Sequence, residues 1–158
     1  MQNDEPPRDH VLVRNLGPMD LDAAIAIDAR IVGRRRDEFF RLKLKQALAD
    51  TGIAVSLAAE EDGQVVGVLL ARVYYGEFGV TERVAVLDVL DVHPDFRGRH
   101  VGAALLDQLR ANLLALGIRT LQTEVAWDNT GLIAFFQREG FRPAPRLCLD
   151  LDLDATRT

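Results

Sequence analysis

The residues best suited to chemistry are concentrated in one stretch, Asp88-Val-Leu-Asp-Val-His-Pro-Asp-Phe-Arg-Gly-Arg-His-Val-Gly-Ala-Ala-Leu-Leu106. An apolar strand runs into a turn carrying Gly98 and Gly102, and the turn opens a helix. Backbone N–H groups at a helix start have no intrahelical acceptor, and the helix dipole favours negative charge there. Glycines let a bulky anion approach the backbone, and Arg97 and Arg99 add donors and positive charge. The ligand this pattern predicts is a pyrophosphate. Taken as a bare pattern it is equally a glycine-assisted turn. It is not a Walker loop, because GxxxxGK[ST] is absent. It also lacks a GxGxxG after a first strand, which argues against a dinucleotide fold.

The surrounding elements must hold that turn in place. Val11 to Leu16 reads as a short opening strand, broken at Gly17-Pro18, with Asp20 at the N-cap of a helix from Leu21 to Val32. Gly33 closes that helix, and Arg34, Arg35 and Arg36 form a solvated C-terminal end. A second helix is expected from Asp37 to Asp50, with Phe39 and Phe40 on its core side. Strands from Ala54 to Glu60 and Gln64 to Tyr74 flank Glu61-Asp62-Gly63, whose D-G pair suits a hairpin turn. Arg83 to Val92 is a fourth strand, followed by an amphipathic helix from Arg99 to Leu116. A fifth strand from Arg119 to Trp127, a short helix from Thr130 to Glu139 and an extended segment from Phe141 to Leu153 complete the order. A strand–helix–strand unit after a hairpin implies an α/β (α+β) chain: a mixed sheet with helices on both faces.

With 158 residues, 48% hydrophobic and 27% charged, the chain fits one globular domain over 11–158, preceded by a flexible arm at 1–10. The net charge of −5 and the lack of a basic run exclude nucleic acid as the expected partner. Cys148 is the single cysteine, so no internal disulfide and no thiol zinc cluster can form. No metal is expected. The N-terminus has no apolar core, and no apolar run approaches the ~18 residues that cross a membrane. The protein is expected in the cytoplasm with no membrane contact.

The segment Val92-His-Pro-Asp-Phe-Arg-Gly-Arg-His-Val-Gly-Ala-Ala-Leu-Leu106 resembles the acetyl-CoA-binding motif of the GNAT superfamily of N-acetyltransferases, [QR]-x-x-G-x-[GA]. Arg97 fills its first position and Gly102 its last. Downstream, Glu124-Val-Ala-Trp-Asp-Asn-Thr-Gly-Leu-Ile-Ala-Phe-Phe-Gln-Arg-Glu-Gly-Phe141 is similar to the family's second motif, an Asn before a short helix ending in Gly-Phe. The resemblance implies a mostly antiparallel central sheet of six to seven strands. It also implies an acetyl-CoA-dependent N-acetyltransferase acting on a small-molecule amine or a protein amino group, with a homodimer as one family arrangement. Carried over by position, it implies that the backbone of Arg97, Gly98, Arg99, His100, Val101, Gly102 and Ala103 cradles the pyrophosphate. Leu90 and Val92 would pair with the pantetheine arm between the fourth and fifth strands, and Asn129 would cap the short helix. Two positions depart from the pattern. His100 replaces the middle glycine, and Phe136 stands where the family often has a tyrosine acid for the leaving thiolate. A thiol of free pKa about 8.5 can leave without that acid.

The implied reaction is attack of a neutral amine on a thioester. An alkyl amine has a pKa near 10, so something must accept its proton. Asp88 is the leading candidate, because strict strand alternation puts it on the face of Leu90. Its bland alternative is an ion-paired strand carboxylate. Glu77, Glu82 and Glu124 are the other candidate bases, and Asp91 is expected to face the other way, capping the turn or pairing with an arginine. His93 shapes the strand end, and Tyr74 and Tyr75 are packing residues able to supply an acid. Two further functions stay open: a non-catalytic acyl-CoA-binding or sensing domain, and a plain interaction domain in which His100 has closed the site.

Overall fold

The computed structural model describes residues 11–49, 55–75, 79 and 81–154. The arm at 1–10 lies outside them, as does Glu77. The chain divides into two compact units, one ending at Glu124 and one beginning at Val125.

The first unit contains β1 (Leu12–Asn15), α1 (Leu21–Val32), α2 (Asp37–Ala49), β2 (Leu57–Glu61), β3 (Gln64–Tyr74), β4 (Val84–Val92), α3 (Val101–Ala115) and β5 (Leu121–Thr123). The strands form one sheet in the order β1-β2-β3-β4-β5. The first four are antiparallel, and β5 joins β4 in parallel. Five strands among the described residues is fewer than the six to seven implied by the family resemblance. Residues 141–154 form no strand, and β5 is three residues long where a strand to Trp127 was expected.

Helices cover both faces. Val68 and Leu70 of β3 and Val89 of β4 pack with Ala24 and Ile25 of α1 and Phe40 and Leu44 of α2. On the opposite face lies α3, whose Leu105, Leu106 and Leu109 are fully buried. Its seat depends on Gly67, which the sequence reading passed over. A Cβ there would lie 2.9 Å from Val101 Cγ1 and 3.1 Å from Leu105 Cδ1. Only a residue without a side chain lets α3 come this close to β3.

Two local expectations are corrected by the packing. Asp20 stands at the start of α1 but makes no side-chain cap there. Its carboxylate instead accepts two bonds from the Arg14 guanidinium, each 2.8 Å, and one from Gly17 N at 2.7 Å. Arg14 also reaches Glu60 at 2.7 Å, so one arginine ties β1, β2 and the entry to α1 together. Arg36 is not a solvated helix end either. It holds both oxygens of Asp28, which is fully buried on α1, and stacks over Phe39 at 4.6 Å.

The second unit holds α4 (Thr130–Arg138). Asn129 caps it by accepting from Leu132 N at 3.2 Å, as expected for an Asn before an apolar helix. Phe136 is its buried residue, with the rings of Phe135 and Phe141 at 5.5 and 4.8 Å.

Candidate functional site

The site begins where β4 loses its neighbour. β5 pairs with β4 only at Ala85↔Leu121, Val86↔Gln122 and Leu87↔Thr123, and Thr123 Oγ1 donates to Leu87 O at 3.0 Å. On its other side β4 stays paired with β3 up to Val92↔Gly67. Residues 88–92 therefore present a backbone edge without a strand partner among the described residues. Such an edge is a template for another extended chain.

The break coincides with an irregularity. Leu70 pairs with Val89 and Ala71 with Leu87, which leaves Asp88 as the extra residue of a bulge. Ser56 Oγ fills the gap on the far side of β3, bonding both Ala71 N and Ala71 O at 3.1 and 3.2 Å. A bulge shifts the phase of side-chain alternation by one residue. Asp88 consequently meets Lys43 of α2, while Asp91 lies against Asp28 of α1. Both carboxylates belong to the α1–α2 face, so Asp88 does not share a face with Leu90, and Asp91 does not point away from Asp88's side.

Beyond β4, residues 94–96 form a 3₁₀ turn capped by His93, whose Nδ1 accepts from Asp95 N at 3.1 Å. Arg30 of α1 grips Asp95 through two bonds of 3.0 and 3.2 Å and also approaches His93 Nε2. His93 thus orders the strand end, and Arg30 fastens it to α1. Gly98 and His100 then both take positive φ, 78° and 60°. The left-handed region costs a residue with a Cβ roughly 1–2 kcal/mol, which is the cost of His100 in the glycine position.

The first helical bond of α3 is Ala104 N to His100 O at 2.9 Å. The amides of Val101, Gly102 and Ala103 therefore have no intrahelical acceptor. Arg99 is drawn aside, bonded to Glu61 at 3.0 Å and stacked over Phe96 at 5.2 Å. Arg97 and His100 are exposed, and Arg97 has no ion-pair partner among the described residues. Half-buried Leu90 and Val92 lead into this turn. The structure thus brings Leu90, Val92 and residues 97–103 into one continuous path.

The candidate bases are dispersed. Asp88 is only 17% exposed and holds two cations, with Arg72 Nε at 3.2 Å and Lys43 Nζ at 3.7 Å. Glu124 and Glu82 are exposed. Tyr74 gives its hydroxyl to Gln122 at 2.7 Å, and Tyr75 is 74% exposed. Asp91, expected to cap the turn or pair with an arginine, is instead a buried carboxyl beside Asp28. Its Oδ2 is buried without a donor among the described residues. Burial, followed by the charge and hydrogen bonding of Asp28, raises its carboxyl to about 7, against the opposing pull of Arg36. Asp20, by contrast, is held below the usual carboxylate range by the Arg14 hydrogen bonds.

β5 parts from β4 beside the bulge, and the free β4 edge leads into the start of α3. The acetyltransferase (GNAT) family model matches residues 23–141. The chain belongs to the GNAT acetyltransferase family. Similar solved structures include an aminoglycoside N-acetyltransferase in complex with CoA, at 21% identity and TM-score 0.76, with 94% of this chain and 99% of that one covered. The ribosomal-protein-S18-alanine N-acetyltransferase of Escherichia coli is similar at 24% identity and TM-score 0.69, covering 85% and 79%. A transcriptional regulator from Bacillus halodurans C-125 matches at 18% and 0.75, covering 91% and 100%. At these identities the likeness is one of fold. No helix among the described residues is long and apolar enough to cross a membrane.

Proposed function

We propose that this GNAT enzyme moves the acetyl group of acetyl-CoA to a primary amine of a small molecule or protein by direct attack. The observation that carries the reading is the unpaired edge of β4 at residues 88–92 running into the free amides of Val101, Gly102 and Ala103. Acetyl-CoA supplies a thioester carbon open to a nitrogen nucleophile. The backbone of Leu90 and Val92 holds the extended pantetheine arm, and the α3 amides with Arg97 take the pyrophosphate. His100 sits at the left-handed position of the turn and offers an imidazole beside the phosphates. Asn129 fixes the start of α4.

Asp88 is the proton acceptor best supported by position, at the bulge where β4 and β5 part. Glu124, one residue past β5, and Glu77 are the alternatives. Phe136 cannot return a proton to the thiolate, and the Tyr74 hydroxyl is already committed to Gln122. The thiolate therefore departs unassisted or takes its proton from water. The same buried Phe136 favours the second reading, an acyl-CoA-binding or sensing domain without turnover.

Calorimetric titration with acetyl-CoA tests the site, comparing the wild type with Gly102→Trp and with Arg97→Glu on the exposed rim. Binding that both variants lose, with circular dichroism unchanged, supports the reading. A wild type that binds no acetyl-CoA overturns it, and one that binds but acetylates no amine leaves the sensing domain.

A further inference from the structure

The chain as a whole is acidic, yet the surface beside Asp88 is not. A small depression between α2, β3 and β4 is walled by Lys43, Gln46, Arg72 and Asp88 over Leu70 and Ala71. It holds two cations and one anion. The depression is shallow and open to solvent, so a ligand would lie across its charged rim.

The donors are arranged to accept an acid. Arg72 brings Nε to 3.2 Å from Asp88 Oδ2, and its guanidinium lies over the Tyr74 ring at 5.6 Å. Its two Nη atoms make no hydrogen bond among the described residues, and a guanidinium offers the fork that binds a carboxylate through two parallel bonds. Lys43 Nζ stands 3.7 Å from the same Asp88 oxygen and is 28% exposed. A polycationic acceptor would bring further positive charge against both residues. An amine lacking an acid would have to displace them from Asp88 and leave two cations without an anion. A molecule with both groups meets neither cost: its carboxylate takes Arg72 and Lys43, and its ammonium takes their place on Asp88.

We propose that the acceptor is an amino acid, its carboxylate bound by Arg72 and Lys43 and its amine placed at Asp88. The inference rests on the acetyltransferase reading and on the α2–β4 depression being its acceptor site. Arg72 and Lys43 are then specificity residues, and Asp88 receives the ammonium proton once it is released from its cations. The depression thereby selects against the polyamine acceptors that the acidic overall charge would tolerate.

The test starts from protein shown by calorimetry to bind acetyl-CoA; failure at that step removes the acetyltransferase reading itself. Initial rates are then measured with the twenty L-amino acids, and with the carboxamide and the decarboxylated amine of each one acetylated. Kanamycin serves as the polycationic control. The expected result is acetylation of at least one amino acid with kcat/KM about tenfold or more above its carboxamide, the scale of one charge-assisted hydrogen bond. Arg72→Gln should raise KM for the acid about tenfold or more, with KM for the carboxamide and Kd for acetyl-CoA unchanged. Lys43→Gln, on α2, gives the same readout if Arg72→Gln does not fold. Intact acetyl-CoA binding with no amino acid acetylated, with carboxamide or kanamycin preferred, or with both variants slowing acid and amide equally, overturns the inference.

Discussion

Replacing Asp91 by asparagine should remove a pH dependence that the wild-type fold carries. Asp91 shares a buried space with Asp28, whose oxygens are already occupied by Arg36. Its carboxyl is raised from 3.8 to about 7 in the folded chain. The folded state therefore binds a proton that the unfolded chain has released, and protons favour folding between those two values. Stability from this group is fully present below about pH 4, falls as the pH rises toward 7, and is level above it. A shift of about three units at 1.36 kcal/mol each gives a loss of up to about 4 kcal/mol across that window. Asp91→Asn keeps the shape, stays neutral and can donate to Asp28, so it should lose this slope. The assay is urea unfolding of both proteins at half-unit steps from pH 4.5 to 8.5, taking the difference in ΔG at each pH. Carboxyls shifted the other way, such as Asp20, act below about pH 4 and cancel in that difference. The expected difference moves by several kcal/mol in favour of the variant as the pH rises from 4.5 to 7.5. A difference flat to within about 0.5 kcal/mol would refute the argument that burial against Asp28 lifts the Asp91 carboxyl.

Other perturbations probe the scaffold of the site. Gly67→Val places a Cβ 2.9 Å from Val101 and should cost about 1–3 kcal/mol by overpacking, weakening acetyl-CoA binding as α3 is pushed off the sheet; denaturation and calorimetry report both effects. His100→Gly removes a Cβ from a φ of 60° and should raise stability by about 1 kcal/mol, read as a higher Tm without ligand. Arg14→Met leaves the Asp20 carboxylate buried without its cation and should cost about 3–5 kcal/mol in urea unfolding near pH 7.

Much of the frame was legible because its signals are local. Apolar spacing located α1, α2, α3 and α4 to within two residues of their ends. Asp62 and Gly63 made the hairpin turn with φ of 50° and 77°. The path from β4 through Gly98 to α3 was legible because glycine spacing and a helix start are properties of neighbouring residues. What the sequence could not show depends on residues far apart along the chain. Alternation assumes an unbroken strand, and the bulge that carries Asp88 to the α2 side depends on the pairing of β4 with β3. Gly67 reads as a weak strand residue until α3 is packed on it. Asp28 and Asp91 are 63 positions apart, and only the packing of α1 on β4 buries Asp91 against Asp28 and lifts its carboxyl. The sequence determined where the helices and the β2–β3 hairpin form and pointed to the start of α3 as a place for an anion. The tertiary structure decided which charges meet, because burial and proximity arise only when separate elements pack.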